Sequence, residues 1–121
     1  MFNIFKLLTK PKLPDGVEFI SVKEAEKALN AGEFDLLLDV RSAEEWEKGR
    51  IPGARFVPVT ELQNRIGELA QRKNDKILVY CHTQNRSSRA AWVLSENGFT
   101  NVRVMYGGIA GWAKENYPLE A

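Results

Sequence analysis

Two apolar runs, Leu36-Leu37-Leu38-Asp39-Val40 and Ile77-Leu78-Val79-Tyr80-Cys81, constrain this chain more than any other feature. A strand with one wet face alternates apolar and polar residues. A nearly continuous apolar run belongs instead to a strand covered on both faces. Helix-start signals punctuate the sequence around these runs. Ser21 with Glu24 has the capping-box spacing and predicts a helix to about Asn30, with Gly32 as a stop just beyond. Ser42 with Glu45 repeats the spacing for a short helix ending near Gly49, and Thr60 with Gln63 predicts a third helix, through Leu69 or Ala70. Strands are expected at 17–20, 34–40, 55–59, 76–80 and 102–105, with helices at 86–97 and 109–116. Such alternation predicts an α/β domain whose mostly parallel sheet carries helices on both faces.

At 121 residues the chain is read as one domain preceded by an arm at 1–14, with the domain proper at 15–121. Seventeen Lys and Arg against 16 Asp and Glu leave a formal charge of +1, and no basic stripe points to nucleic acid as a partner. The single cysteine excludes an internal disulfide and any multi-cysteine zinc or iron–sulfur site within the chain. No metal or cofactor is called for, and a reducing, cytoplasmic setting is the natural expectation. Asn3 and Lys6 interrupt the apolar N-terminus, which has neither a secretory core nor the length of a membrane span. It is read as an arm packing loosely on its own domain, in preference to an amphipathic helix touching a membrane or partner.

Cys81 falls where the second apolar run gives way to a short polar loop, with Arg86 at the expected start of the next helix. In open α/β sheets, ligand sites gather beyond the carboxyl ends of strands. Unpaired N–H groups and the helix dipole at such a turn stabilise one anionic atom, including a thiolate. The bland alternative is a small apolar core filler. The polar loop, Arg86, Ser87, Ser88 and Arg89 argue against it, since a filler needs none of them. Asp39 and Arg41 close the other apolar run. They are read as a strand-end ion pair supporting the site, with substrate contact as the alternative. Trp46 and Trp112 are read as packing, and residues 44–50 as a solvated helix face.

Four ordered segments carry a resemblance: Leu38-Asp39-Val40-Arg41; Glu44-Glu45-Trp46 through Gly49-Arg50-Ile51-Pro52-Gly53-Ala54; Val79-Tyr80-Cys81 with Arg86-Ser87; and Gly107-Gly108-Ile109-Ala110-Gly111-Trp112. Together, over residues 17–119, they resemble a single-domain rhodanese. The resemblance implies a three-layer α/β domain around a five-stranded parallel sheet. It also implies sulfurtransferase chemistry, in which the cysteine takes a sulfane sulfur from a donor such as thiosulfate, holds it as a persulfide, and yields it to cyanide or a protein thiol. By position, Cys81 is the nucleophile; His82, Thr83, Gln84, Asn85 and Arg86 form the persulfide cradle, with Ser87 at the helix start. Two positions depart from the pattern. Gln84 stands where small relatives often have glycine, so its Cβ would be costly if φ were positive. Arg50 stands where a histidine is common.

The residue types suit this chemistry. Attack on a sulfur–sulfur bond needs an accessible thiolate. Arg86 is a permanent cation that could attract an anionic donor, and loop N–H groups could form an anion cradle. His82, the only histidine, is read as a solvent-facing loop residue, with a general base as the alternative. Cysteine phosphatases and arsenate reductases share the Cys–loop–Arg plan, but their loops place five residues between the two where this chain has four, 82–85. The same fold also admits a binding module without turnover, or a dedicated persulfide carrier.

Overall fold

The structure is a computed structural model and describes residues 10–121. The first nine residues of the arm, on which the reading of the N-terminus rests, lie outside the described residues. Five parallel strands, β1 (Glu18–Ser21), β2 (Leu36–Asp39), β3 (Arg55–Phe56), β4 (Ile77–Tyr80) and β5 (Val102–Tyr106), form one sheet in the order β1-β5-β4-β2-β3. Five α-helices connect and close it: α1 (Val22–Asn30), α2 (Ala43–Lys48), α3 (Val59–Leu62), α4 (Asn85–Glu96) and α5 (Gly108–Lys114). The register sets Asp39 beside Tyr80, so the two apolar strands end together.

Every residue of β2 and β4 is buried, as the apolar runs require. Alternate side chains serve opposite layers. Leu36, Leu38, Ile77, Val79 and Cys81 join Ala90, Ala91 and Leu94 of α4 and Leu62 of α3 on one face. Leu37, Leu78 and Tyr80 join Val22 and Ala25 of α1 and Ile109 and Trp112 of α5 on the other. The two capping signals nearest the N-terminus work as read. The Ser21 hydroxyl accepts from the Glu24 N–H, and Ser42 with Glu45 forms a complete box.

The segment from 55 to 72 departs from expectation. β3 has two residues, not five: the chain turns at Pro58 into α3, although the Val57 and Val59 N–H groups still donate to the Asp39 and Val40 carbonyls. Pro58 is itself the N-cap of α3, so Thr60 lies inside the first turn and caps nothing. The helix expected through Leu69 or Ala70 is α3 followed by a 3-10 helix, Ile66–Arg72, that contains Gly67. Leu62 and Leu69, seven residues apart, are both fully buried, so core contact rather than a continuous helical ladder holds this segment. Among the described residues, no helix is long and apolar enough to cross a membrane.

Candidate active site

β4 delivers Cys81 to the carboxyl edge of the sheet, and the loop from 82 to 84 leads into α4. The sulfur is 3.3 Å from the backbone nitrogen of Ser87, which donates to it, and 3.3 Å from the Ser87 hydroxyl. Ser87 is fully buried on the first turn of α4, so its N–H is one of the donors that a helix start leaves without an intrahelical partner. Cys81 itself is 1% exposed and packs within the core layer beneath α4. The thiol is therefore less accessible than sulfur transfer led us to expect, with Ser87 as its polar neighbour.

The loop conformation has an identifiable cause on α5. The Ile109 N–H donates to the Cys81 carbonyl at 2.9 Å, and the Ala110 N–H to the His82 carbonyl at 3.0 Å. A Cβ on Gly108, whose φ is +56°, would collide with the carbonyl oxygens of Cys81, His82 and Thr83. Glycine is thus needed at 108 on both steric and conformational grounds. A trans peptide points its N–H opposite to its carbonyl. With these carbonyls gathered against α5, the N–H groups of His82, Thr83 and Gln84 face away from it. Neither those nor the N–H groups of Asn85 and Arg86 have an acceptor among the described residues.

Gln84 adopts φ −150°, so the residue at the position often held by glycine carries no left-handed strain. Its side-chain carbonyl accepts from the Gly107 N–H at 3.2 Å, and its backbone carbonyl accepts from the Ser88 hydroxyl at 2.6 Å. The loop is thereby fastened to both helices. His82 and Asn85 are exposed and Thr83 is half-buried.

Arg86 does not stand free in the loop. Its two terminal nitrogens donate to the Glu45 carboxylate at 2.6 and 2.9 Å, bridging α4 to α2. Hydrogen bonding to Arg86 holds the Glu45 carboxyl down at about 2, and the same bond raises Arg86 above its ordinary value. Glu45 also accepts from the Ser42 N–H and hydroxyl, at 3.1 and 2.9 Å. Residues 44–50 are thus more than a solvated face. The capping-box glutamate spans to the cysteine loop, a role its spacing to Ser42 gave no reason to expect.

Asp39 and Arg41 form a buried ion pair of 2.7 Å, and the Arg41 backbone N–H also donates to Asp39. A terminal nitrogen of Arg41 donates to the Gly49 carbonyl at 2.7 Å, so the pair anchors the end of α2 rather than touching Cys81. Tyr80 completes this support. Its buried hydroxyl accepts from the Ile51 N–H at 3.1 Å, and burial pushes its ionisation far up. Trp46 stacks on Phe56 with the Arg50 guanidinium over its ring, and Trp112 donates to the Pro118 carbonyl; both are packing residues, as read. A cavity of about 350 Å³ opens beside the loop, lined by Arg41, Glu45, Lys48, His82, Ile109 and Leu119 among others.

Comparison with known proteins agrees with this geometry. Residues 21–115 match the family model for the rhodanese-like domain. A putative sulfur carrier protein, YrkF of Bacillus subtilis (strain 168), is 36% identical over 93 residues, covering 77% of this chain. The chain spans 49% of that relative's length. Among solved structures, a rhodanese-related protein from Thermoplasma volcanium superposes with a TM-score of 0.73 at 31% identity, covering 85% of this chain and 97% of its own. A protein of Rhodopseudomonas palustris CGA009 described as a possible tyrosine phosphatase superposes with a TM-score of 0.78 at 25% identity, covering 86% and 85%. With its sheet order, cysteine loop and family match in agreement, the chain belongs to the rhodanese-like domain family.

Proposed function

We propose that this chain is a sulfurtransferase in which Cys81 carries the sulfur. The Cys81 thiolate attacks the sulfane sulfur of thiosulfate or of a persulfide donor. The sulfur–sulfur bond of the donor breaks, sulfite or a thiolate leaves with the bonding pair, and Cys81 holds a persulfide. Cyanide or a thiolate acceptor then attacks the outer sulfur and restores Cys81. No general base is needed once the thiol is ionised, so His82 has no proton to carry. Substrate contact is assigned to 82–87, Arg86 through its backbone N–H, with Asp39 and Arg41 in support.

The observation that carries the reading is the orientation of the loop. The Cys81 and His82 carbonyls are tied to α5, the N–H groups of 82–86 have no acceptor among the described residues, and the Ser87 N–H donates to the sulfur. Preorganised amides of this kind favour one compact anion. Membership of the rhodanese-like family supports the same chemistry, and the name of the Bacillus relative suggests a carrier as one form of it. In that form sulfur passes from Cys81 to a dedicated protein thiol. Phosphatase chemistry is disfavoured because Arg86 is engaged by Glu45 and the loop is short.

The test is intact mass after incubating reduced protein with thiosulfate and, separately, with cysteine persulfide, alongside Cys81→Ser. One added sulfur on the Cys81 protein alone, removed by cyanide as thiocyanate, is the expected result. A folded protein with a free thiol that takes sulfur from neither donor would leave a binding module.

A further inference from the structure

We infer that Glu45 selects the sulfur donor: by engaging Arg86 it withdraws the loop's cation from incoming anions, so the site favours a sulfane sulfur carried on an organic or protein thiol over doubly charged thiosulfate. The inference rests on the sulfurtransferase reading and specifies its donor. Three features of the structure carry it.

First, the bridge is built rather than incidental. Both terminal nitrogens of Arg86 meet Glu45, whose carboxylate is itself fixed by two bonds from Ser42. Such two-point pairing has defined geometry and uses the fork that would otherwise grip an oxyanion. Secondly, the neighbouring cations offer little in its place. Arg41 is buried and committed to Asp39 and the Gly49 carbonyl. Lys48 pairs loosely with Glu44 at 3.4 Å on the exposed rim, where a single charge is largely screened. Arg89 is exposed one turn further along α4 and does not line the cavity beside the loop.

Thirdly, Cys81 is 1% exposed, so a donor must shed water to bring its sulfane sulfur within reach. The cost of stripping water from an ion rises steeply with its charge. A persulfide R–S–S⁻ brings one charge on its sulfur and a carbon stem, whereas thiosulfate brings two charges and no stem. Ile109 and Leu119 offer such a stem an apolar wall in the cavity beside the loop. Transfer balances without any further reagent. The R–S–S⁻ donor takes a proton from solvent, the Cys81 thiolate takes the outer sulfur of the resulting R–S–SH, the donor's sulfur–sulfur bond breaks, and RS⁻ leaves.

The experiment measures second-order rates of sulfur loading from thiosulfate and from cysteine persulfide, at low and moderate ionic strength, for the native chain and Glu45→Gln. Glutamine also satisfies a capping box, so this change removes the charge while keeping the helix start. Freeing Arg86 is expected to raise the thiosulfate rate roughly tenfold at low salt, the scale of one charge acting near a partly desolvated site. The persulfide rate should change by less than about threefold, since it gains from only one charge. The native chain's thiosulfate rate should be nearly independent of salt. An unchanged donor preference in Glu45→Gln, or a native thiosulfate rate that falls steeply with salt, would overturn the inference while leaving the sulfurtransferase reading in place. Loading from neither donor would remove both.

Discussion

Two arginine–carboxylate pairs stand at the carboxyl edge of the sheet, and they differ in almost everything except their chemistry. Asp39–Arg41 spans two residues, is almost wholly buried and is complemented by the Arg41 and Gly49 backbone. Glu45–Arg86 spans 41 residues, joins two helices, and leaves each side chain about a third exposed, at 30% and 34%. The first can be made as soon as β2 ends and serves the architecture. The second forms only when α2 and α4 are both in place, and it sets which charges an incoming donor meets. The same arginine–carboxylate chemistry thus holds the edge in one pair and, on the inference above, tunes it in the other, according to burial and chain separation.

Breaking the buried pair should have the largest effect. Arg41→Met leaves Asp39 buried without its partner, and a loss of about 3–5 kcal/mol in denaturant unfolding is expected. A loss under about 1 kcal/mol, the range of exposed pairs, would erase the distinction between the two. Next comes the clamp beneath the loop. Gly108→Ala drives a Cβ into three backbone carbonyls and should cost about 1–3 kcal/mol. It should also slow sulfur loading roughly 100-fold, as misplaced donors do elsewhere. Normal loading by the alanine variant would show that the carbonyl clamp does not set the cradle.

Glu45→Gln belongs at the mild end, with unfolding within about 1 kcal/mol of the native chain because its partners are partly solvated. A cost as large as that of Arg41→Met would make both pairs architectural. The smallest effect is in acid. The Glu45 carboxyl is lowered from 4.5 to about 2, so its stabilisation is complete above about pH 4.5 and is lost as pH falls through 2. The stability gap between the native chain and Glu45→Gln should therefore be flat above that range and shrink within it. A gap that grows on acidification would have the wrong sign.

Much of this was legible in the residues. Continuous apolar runs marked the doubly covered strands, and Ser21 and Ser42 marked helix starts, because these signals act over a few residues. The place of Cys81 at a strand end, that of Ser87 on the first turn of the next helix, and the Asp39–Arg41 pair were legible for the same reason. Pro58 defeated the capping reading at Thr60 because it takes the N-cap itself, so the helix begins at Val59 and Thr60 falls inside its first turn. Glu45 and Gly108 were out of reach as site residues. Their partners lie 41 and roughly 25 positions away along the chain, and only the packing of α2 and α5 against the cysteine loop brings them together.

In the proposed mechanism, backbone amides receive the transferred sulfur while Arg86 stays on Glu45. Amide and guanidinium NMR signals compared before and after Cys81 is loaded test this most directly. The amides of 82–87 should shift and exchange more slowly, with the Arg86 guanidinium unmoved on Glu45. A persulfide that moves the Arg86 signals and leaves the loop amides unchanged would contradict it.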